Sequence, residues 1–399
     1  MIYNILVRKV KVKDIVERGV SKIYPNKRKF ENLIRRKKIR LYQGFDASMP
    51  NLHLGNMVGL MKLAQFQKAG HEVIFLVGDF TGMIGDPTDK LETRKKLSRE
   101  EVMANTKNWR KQAARILKFE GTNAAKIMYN SSWLDKVTYK DLIEITSNFT
   151  VQQMIERDMF QKRLSKNEPI FLHEFLYPVA VSIDCVMMDV DLEIGGSDQL
   201  FNMMTGRTLM KAIKGKEKFV LTTKLLVDKD GNKVGKTTGN ALFLNTPPLD
   251  FYAALMSFPD EVIYIGFELL TDIELSDLEN KISQDPLTAK KMLAFAVTRK
   301  IYGEKEAKNS QKYFETTFQK RQLPQDIKIK KLSSSQQPLL DLVWETRLVT
   351  SRSQIKRLIE DGAIEVDGTA LTNPTQLVNI QKGAIIKIGK SKFIKVVPR

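Results

Sequence analysis

The order strand, helix, strand over residues 39–77 is the tightest constraint on the fold. Residues 39–49 read as a short strand running into a loop, and 51–70 carry apolar residues at helical spacing up to a glycine. Residues 72–77 then form an almost unbroken apolar run. A strand apolar on both faces must be covered on both sides, which implies a βαβ unit and a parallel sheet between helices. Further strands at Lys126–Tyr129 and 191–194, each preceded by helical stretches, extend the alternation to about residue 225. The expected class is α/β, with a doubly wound parallel sheet.

After Pro247 and Pro248 the strand pattern stops, and residues 249–320 read as helices with caps such as Ser276 and Pro286. Residues 321–337 are polar and basic and read as a linker. Beyond them, helices over 339–349 and 351–360 and strands over 363–366, 385–388 and 393–397 make a small α+β module. The expected division is thus 1–245, a sheet domain with a basic N-terminal segment, then a helical domain at 246–320, the linker, and the last module at 338–399. At 399 residues, two or three domains are in keeping with the length.

Charge narrows the choice of partner. Lys and Arg number 65 against 46 Asp and Glu, a net charge of +19, which suits a polyanion because each neutralised phosphate releases counterions. Residues 1–40 alone hold 14 basic and three acidic residues, a pattern that fits a solvated helix face as well as nucleic-acid contact. One cysteine, Cys185, forms no internal disulfide, and His53, His71 and His173 are too far apart for a zinc site of ordinary spacing. No apolar run reaches 18 residues and the N-terminus lacks the ordered segments of a secretory signal, so a cytoplasmic protein without membrane contact is expected.

Four stretches carry candidate chemistry. In Gly44 to Asn56 a strand ends and a helix begins; His53 and Asn56 share one face of the first turn beside Gly55, an arrangement for phosphate or for a capped helix with an exposed histidine. Gly78 to Pro87 places three glycines and two acids after a strand, suiting either ligand contact or a plain turn. Ile194 to Gln199 brings two glycines and Asp198, which fits a ribose hydroxyl or an N-cap. Lys233-Val234-Gly235-Lys236-Thr237 looks like a phosphate loop, but Gly231 and Gly235 enclose three residues where a Walker A motif needs four. It reads instead as a loop with two lysines, either clamping a polyphosphate or solvated. Together the four fall where open α/β sheets bind ligands, and three suit a nucleotide. No Ser/His/Asp or Cys/His arrangement accompanies them. That fits a reaction whose nucleophile arrives charged, such as a substrate carboxylate attacking the α-phosphorus of ATP.

In this order the motifs resemble those of bacterial tyrosyl-tRNA synthetases, class I enzymes of the Rossmann type, over nearly the whole chain. His53-Leu54-Gly55-Asn56 is similar to the HIGH signature and 233–237 to the KMSKS loop; 41–46, 82–87 and 194–199 resemble three further family stretches. The resemblance implies that Tyr42 and Asp184 bind the substrate phenol, Tyr177 and Asp86 its amino group, and Gln199 its carboxyl group. It implies Asp198 with the backbone at Gly44 and Gly196 for the adenylate ribose, with Asp46 and Gly55 also at the ATP site. Ser48, His53, Lys233, Lys236 and Thr237 would stabilise the triphosphate, Lys90 and Arg94 would add pyrophosphate contacts, and Asn56 would lie near the nucleoside. ATP as substrate, Mg2+ with the triphosphate, L-tyrosine, the tRNA for tyrosine and a homodimer follow from the same resemblance, with residues near 149–175 as the interface.

Three departures stand out. Val181 replaces the glutamine that helps hold the amino group, Asn56 replaces the second histidine of the signature, and Ala47-Ser48 replaces Pro-Thr while keeping a hydroxyl. The last module resembles the ribosomal S4 type of RNA-binding fold, with Arg352, Lys356 and Arg357 set for RNA phosphates. Lys290, Lys291, Arg299 and Lys300 would face the anticodon stem. Two rivals compete with this reading: a synthetase-like RNA-binding protein without catalysis, and a tryptophan-specific relative. The intact His53, Asp198, Lys233 and Lys236 set speaks against the first, and Tyr42 with Asp184 against the second.

Overall fold

A computed structural model describes residues 11–86, 97–234, 241–319, 329–332, 334–349, 351–389 and 392–399. They divide into two compact units, one of residues 1–246 with 255–303 and one of 247–254 with 304–399.

The first unit is built on a six-stranded sheet. Its strands are β1 (Val20–Tyr24), β2 (Arg40–Asp46), β3 (Glu72–Gly78), β4 (Lys126–Tyr129), β5 (Leu192–Gly196) and β6 (Phe219–Thr223), in the order β1-β6-β5-β2-β3-β4. All neighbouring pairs are parallel except β1 with β6. β3 and β6 are buried along nearly their whole length, as the continuous apolar run at 72–77 requires. The helix Leu54–Lys68 follows β2 and is buried on almost every side, while Leu172–Met188 and Leu200–Lys214 flank β5. The sheet order turns between β2 and β5, the point at which such folds open a crevice at the carboxyl ends of their strands.

One part of this unit fills out the expectation and one helix start differs from it. The basic N-terminal segment is integral to it: Arg18 donates to the carbonyls of Phe267, Glu268, Thr271 and Ile273 at the end of the helix Val262–Leu270. The helix Lys27–Arg36 buries Phe30 and Ile34 and leaves its cations outside. The N-cap position of the helix Leu278–Gln284 is Asp277, in a left-handed conformation (φ 59°) and without a side-chain capping bond, and not Ser276. Asp285 caps Pro286–Tyr302 by accepting from the Thr288 N–H, with Pro286 in the first turn.

In the second unit a five-stranded sheet of order β10-β9-β12-β13-β7 and a two-stranded pair β11-β8 surround the helices Leu339–Thr346 and Arg352–Glu360. The strands are β7 (Ile329–Leu332), β8 (Gln336–Pro338), β9 (Ile364–Val366), β10 (Thr369–Ala370), β11 (Leu377–Asn379), β12 (Ala384–Ile388) and β13 (Lys392–Pro398). The linker reading of 321–337 is therefore corrected at 329–332 and 336–337, because β7 pairs in parallel with β13 and β8 antiparallel with β11. Only Leu332 of β7 is buried, so the strand carries too few apolar residues to announce itself. No helix among the described residues is long and apolar enough to cross a membrane.

Candidate active site

The carboxyl ends of β2, β3 and β5 open into a cleft of about 880 Å³. At its mouth the helix Leu54–Lys68 is capped reciprocally: the His53 Nδ1 accepts from the Asn56 N–H (3.2 Å) and the Asn56 Oδ1 from the His53 N–H (3.0 Å). His53 is only 8% exposed, which removes the reading of a solvated histidine. Gly55 is needed for His53 itself, since a Cβ there would stand 3.0 Å from the imidazole. Gly44 has no such crowding, and its open side faces the cleft with exposed Ser48 nearby along the rim.

Asp198 lies in a 3-10 turn after β5 and takes a 2.6 Å bond from Lys233. A Cβ at Gly196 would stand 2.4 Å from the Asp198 carboxylate, so the glycine lets that acid fold back over the strand end. Lys233 is presented by a hairpin whose turn is tied by Asp228, which accepts from the N–H groups of Asp230 and Asn232. The flanks of residues 235–240 are both anchored: Val227 bridges Lys233 on one side and Phe243 bridges His53 on the other. Lys236, Thr237, Lys90 and Arg94 lie outside the described residues.

Deeper in, Tyr177, Val181 and Asp184 project from one face of Leu172–Met188 at i, i+4 and i+7. Asp184 is 2% exposed and accepts from the Trp133 indole N–H (2.8 Å) and the Asn130 amide (3.2 Å), so it is no solvated helix residue. Burial pushes its carboxyl well above the usual range despite those two donors. Tyr42 sits on β2 with its hydroxyl buried and without a hydrogen-bond partner. Burial, and then the charge of Glu193, push its phenol up.

The amino-group candidates are held by partners within the protein. The Tyr177 hydroxyl donates to Asp46 (2.8 Å), whose other oxygen accepts from Thr81 (2.7 Å). Gln199 donates to Asp86 (2.8 Å) and accepts from Asn202 (2.9 Å), while the Arg157 guanidinium stands 3.8 Å from Asp86. Val181 lines the cleft and offers no polar atom.

Sequence reasoning passed over Asn130, Trp133, Thr81, Asn202, Arg157, Gln43 and Glu193. Asn130 had a signal, since it directly follows β4 as the other candidates follow their strands. Gln43 had none: its side chain fills the space that a Cβ on Gly59 would occupy, 2.0 Å from its Oε1, a pairing between residues 16 apart. Gln43 Oε1, Trp109 Nε1 and Asn202 Oδ1 join the Tyr42 hydroxyl as buried, unpartnered polar atoms in cleft-lining residues. Such atoms are rare in folded proteins and mark where a polar ligand completes the wall.

The profile of tRNA synthetases class I (W and Y) matches residues 35–319. The chain belongs to the class I tRNA synthetases. The S4 domain profile matches 337–383, which includes the helix bearing Arg352, Lys356 and Arg357. Among curated relatives of this synthetase, the tyrosine–tRNA ligase of Aquifex aeolicus is 37% identical over 385 residues, covering 96% of this chain and 97% of the other. That of Thermotoga maritima is 36% identical over 389 residues, covering 96% of each. Of solved structures, a C-terminally truncated mitochondrial tyrosyl-tRNA synthetase from Aspergillus nidulans superposes with a TM-score of 0.65 at 23% identity, covering 78% of this chain and 95% of that one. The synthetase fold is thereby shared.

Proposed function

We propose that this synthetase is a tyrosine–tRNA ligase that joins L-tyrosine to ATP as tyrosyl-adenylate, releases pyrophosphate, and passes the tyrosyl group to the 3′ end of its tRNA. One observation carries the substrate choice: the buried, unpartnered Tyr42 hydroxyl and the buried Asp184 stand together in a cleft otherwise furnished for a nucleotide. A phenol gives the Tyr42 hydroxyl a partner and brings Asp184 a further donor, whereas phenylalanine leaves the Tyr42 hydroxyl unpaired. For tyrosine-activating enzymes as a class that rejection is about 10⁵-fold, a known magnitude rather than one that follows from this geometry.

The substrate's ammonium is held by Asp86 with Tyr177, which exchanges its bond to Asp46 for the ligand; Gln199 faces the carboxyl group. Asp198 and the backbone at Gly44 and Gly196 take the ribose, and Asn56 lies by the nucleoside. With the tyrosine carboxylate set against the α-phosphorus, no protein nucleophile is required, and the work is positioning and charge stabilisation. His53, Ser48 and Lys233, joined by Lys236, Thr237, Lys90 and Arg94, balance the charge that builds on the leaving pyrophosphate. Magnesium enters as part of the MgATP substrate.

The enzyme acts in the cytoplasm as a homodimer. Tyr139, Ile143, Val151, Leu164, Phe171 and Leu172 are large apolar residues exposed along the helices between 139 and 172, which supports an interface there. The helical residues 246–320 serve the anticodon stem through Lys290, Lys291, Arg299 and Lys300, and the S4 domain binds RNA phosphates through Arg352, Lys356 and Arg357.

Amino-acid-dependent exchange of labelled pyrophosphate into ATP tests the proposal, with tyrosine, phenylalanine and tryptophan supplied separately. Exchange with tyrosine alone is expected. Exchange with tryptophan would overturn the substrate, and none with any of the three would leave an RNA-binding protein. Lys236→Ala should abolish exchange while tRNA affinity is retained.

A further inference from the structure

Glu193 and Lys218 form a buried ion pair that the proposed mechanism does not use. Lys218 has no exposed surface and Glu193 is 4% exposed. Lys218 donates to the Glu193 carboxylate and to the Met203 carbonyl (3.1 Å). Gly206 makes the room: a Cβ there would stand 2.7 Å from the Lys218 ammonium and 3.1 Å from the Cys185 sulfur. A pair this deep costs heavily in desolvation, and apolar residues of similar volume often serve stability as well or better. Burial pulls the Lys218 pKa down, and the Glu193 carboxylate opposes that pull. Burial also pushes the Cys185 thiol up to about 12, so Cys185 supplies no counter-charge at neutral pH.

The pair's position suggests its task. In the parallel pairing of β2 and β5, Tyr42 is the direct partner of Glu193, so the two side chains share one sheet face. Both line the cleft with Asp184. Among these three groups there are two carboxylates to accept and one hydroxyl to donate. Both Asp184 oxygens are already engaged by Trp133 and Asn130. Glu193 is therefore the acceptor toward which the Tyr42 hydroxyl can turn, and an incoming phenol brings the second donor. Without Lys218, Glu193 would add an uncompensated charge beside Asp184.

We propose that Glu193, fixed by Lys218, is a positioning residue for substrate selection: it orients the Tyr42 hydroxyl so that the closed end of the cleft prefers a phenol to a bare ring. This rests on the reading of Tyr42 and Asp184 as the phenol site.

The test is pyrophosphate exchange with tyrosine and with phenylalanine by the full-length E193Q/K218M variant, which removes both charges at near-constant volume, and by E193Q alone. Thermal unfolding reports whether each is folded, and Y42F is the reference. The preference for tyrosine over phenylalanine should fall about 2- to 12-fold, the worth of one neutral hydrogen bond. The loss should appear in KM for tyrosine and not in KM for phenylalanine; a merely structural role would move both together. Lowered preference in Y42F with unchanged preference in folded E193Q/K218M and E193Q would overturn this proposal alone. Unchanged preference in Y42F would overturn the phenol-site reading and the proposal with it.

Discussion

Replacing Tyr42 by phenylalanine removes one oxygen atom, and the structure assigns it two effects of opposite sign. In the free protein the hydroxyl is buried, with the residue 1% exposed, and Glu193 beside it makes no hydrogen bond of normal geometry to it. A buried polar group left unsatisfied costs about 1–3 kcal/mol, so its removal should stabilise the unliganded fold by some part of that amount. A gain of 1 kcal/mol raises Tm by about 2–4 °C in units of 150–250 residues, and by less in this larger unit. With tyrosine bound, the same oxygen completes a hydrogen bond worth about 0.5–1.5 kcal/mol, so the variant should lose about 2- to 12-fold in kcat/KM for tyrosine and nothing for phenylalanine. Scanning calorimetry without ligands measures the first effect and pyrophosphate exchange the second. A lower Tm together with an unchanged ratio of the two substrates would refute the reasoning, because it would mean that the hydroxyl is satisfied in the free protein and idle in the complex.

Other consequences are as concrete. Arg163→Met leaves Glu174 buried and unpaired after loss of a 2.6 Å ion pair, and should cost about 3–5 kcal/mol in thermal unfolding; no change in Tm would exclude a strong pair. Lys62 is wholly buried, donates to the carbonyls of Ile15 and Arg18, and has its pKa lowered to about 7 by burial and then by Arg18. The folded state thus binds fewer protons than the unfolded chain between about pH 7 and 10.5, so stability gains at most ~1.4 kcal/mol per pH unit as pH rises through that window. Against K62M, the parent's relative Tm should climb from pH 7 to 9.5, and a flat difference would reject the shift. If the chain sediments as the proposed dimer, Val151→Glu with Leu172→Glu should give monomers, and a dimer that survives both changes would place the interface elsewhere. In the S4 domain Arg352 is already engaged by Asp341 and lies over the Trp344 ring, while Arg357 is exposed. R357A should therefore lower the salt dependence of tRNA binding by about 0.7–0.9 in log–log slope and R352A by less; the reverse order would contradict this.

What the sequence made legible follows physical locality. The β2–helix–β3 unit was readable because its signals, an apolar run and a capped helix start, lie within 40 residues. His53 and Asp198 were readable through motifs and strand ends, whereas Asp184, inside a helix, was legible only through the family resemblance. The pairings of the candidate amino-group residues were not: Tyr177 on Asp46 and Gln199 on Asp86 reach across 131 and 113 residues, and no local pattern selects among several acids. Lys218 was equally hidden, since a lysine in a basic chain reads as surface until the fold buries it beside Glu193. The strand β7 escaped because parallel pairing at a sheet edge asks little of the sequence.

β1 gives the N-terminal segment a role apart from charge. It runs antiparallel along β6, with an irregular register between Val20 and Lys22 and with exposed Ser21 and Lys22, features that keep a sheet edge from recruiting another chain. Behind it, β6 is buried from end to end. A proteolytic cut that released the chain before residue 25 would leave every motif of the cleft in place, yet would bare the buried strand β6 and strip four carbonyls of the Arg18 guanidinium. Such an enzyme would be lost first to edge-to-edge aggregation and only secondarily to failed catalysis, so its ageing in solution would show as turbidity before it showed as altered substrate choice.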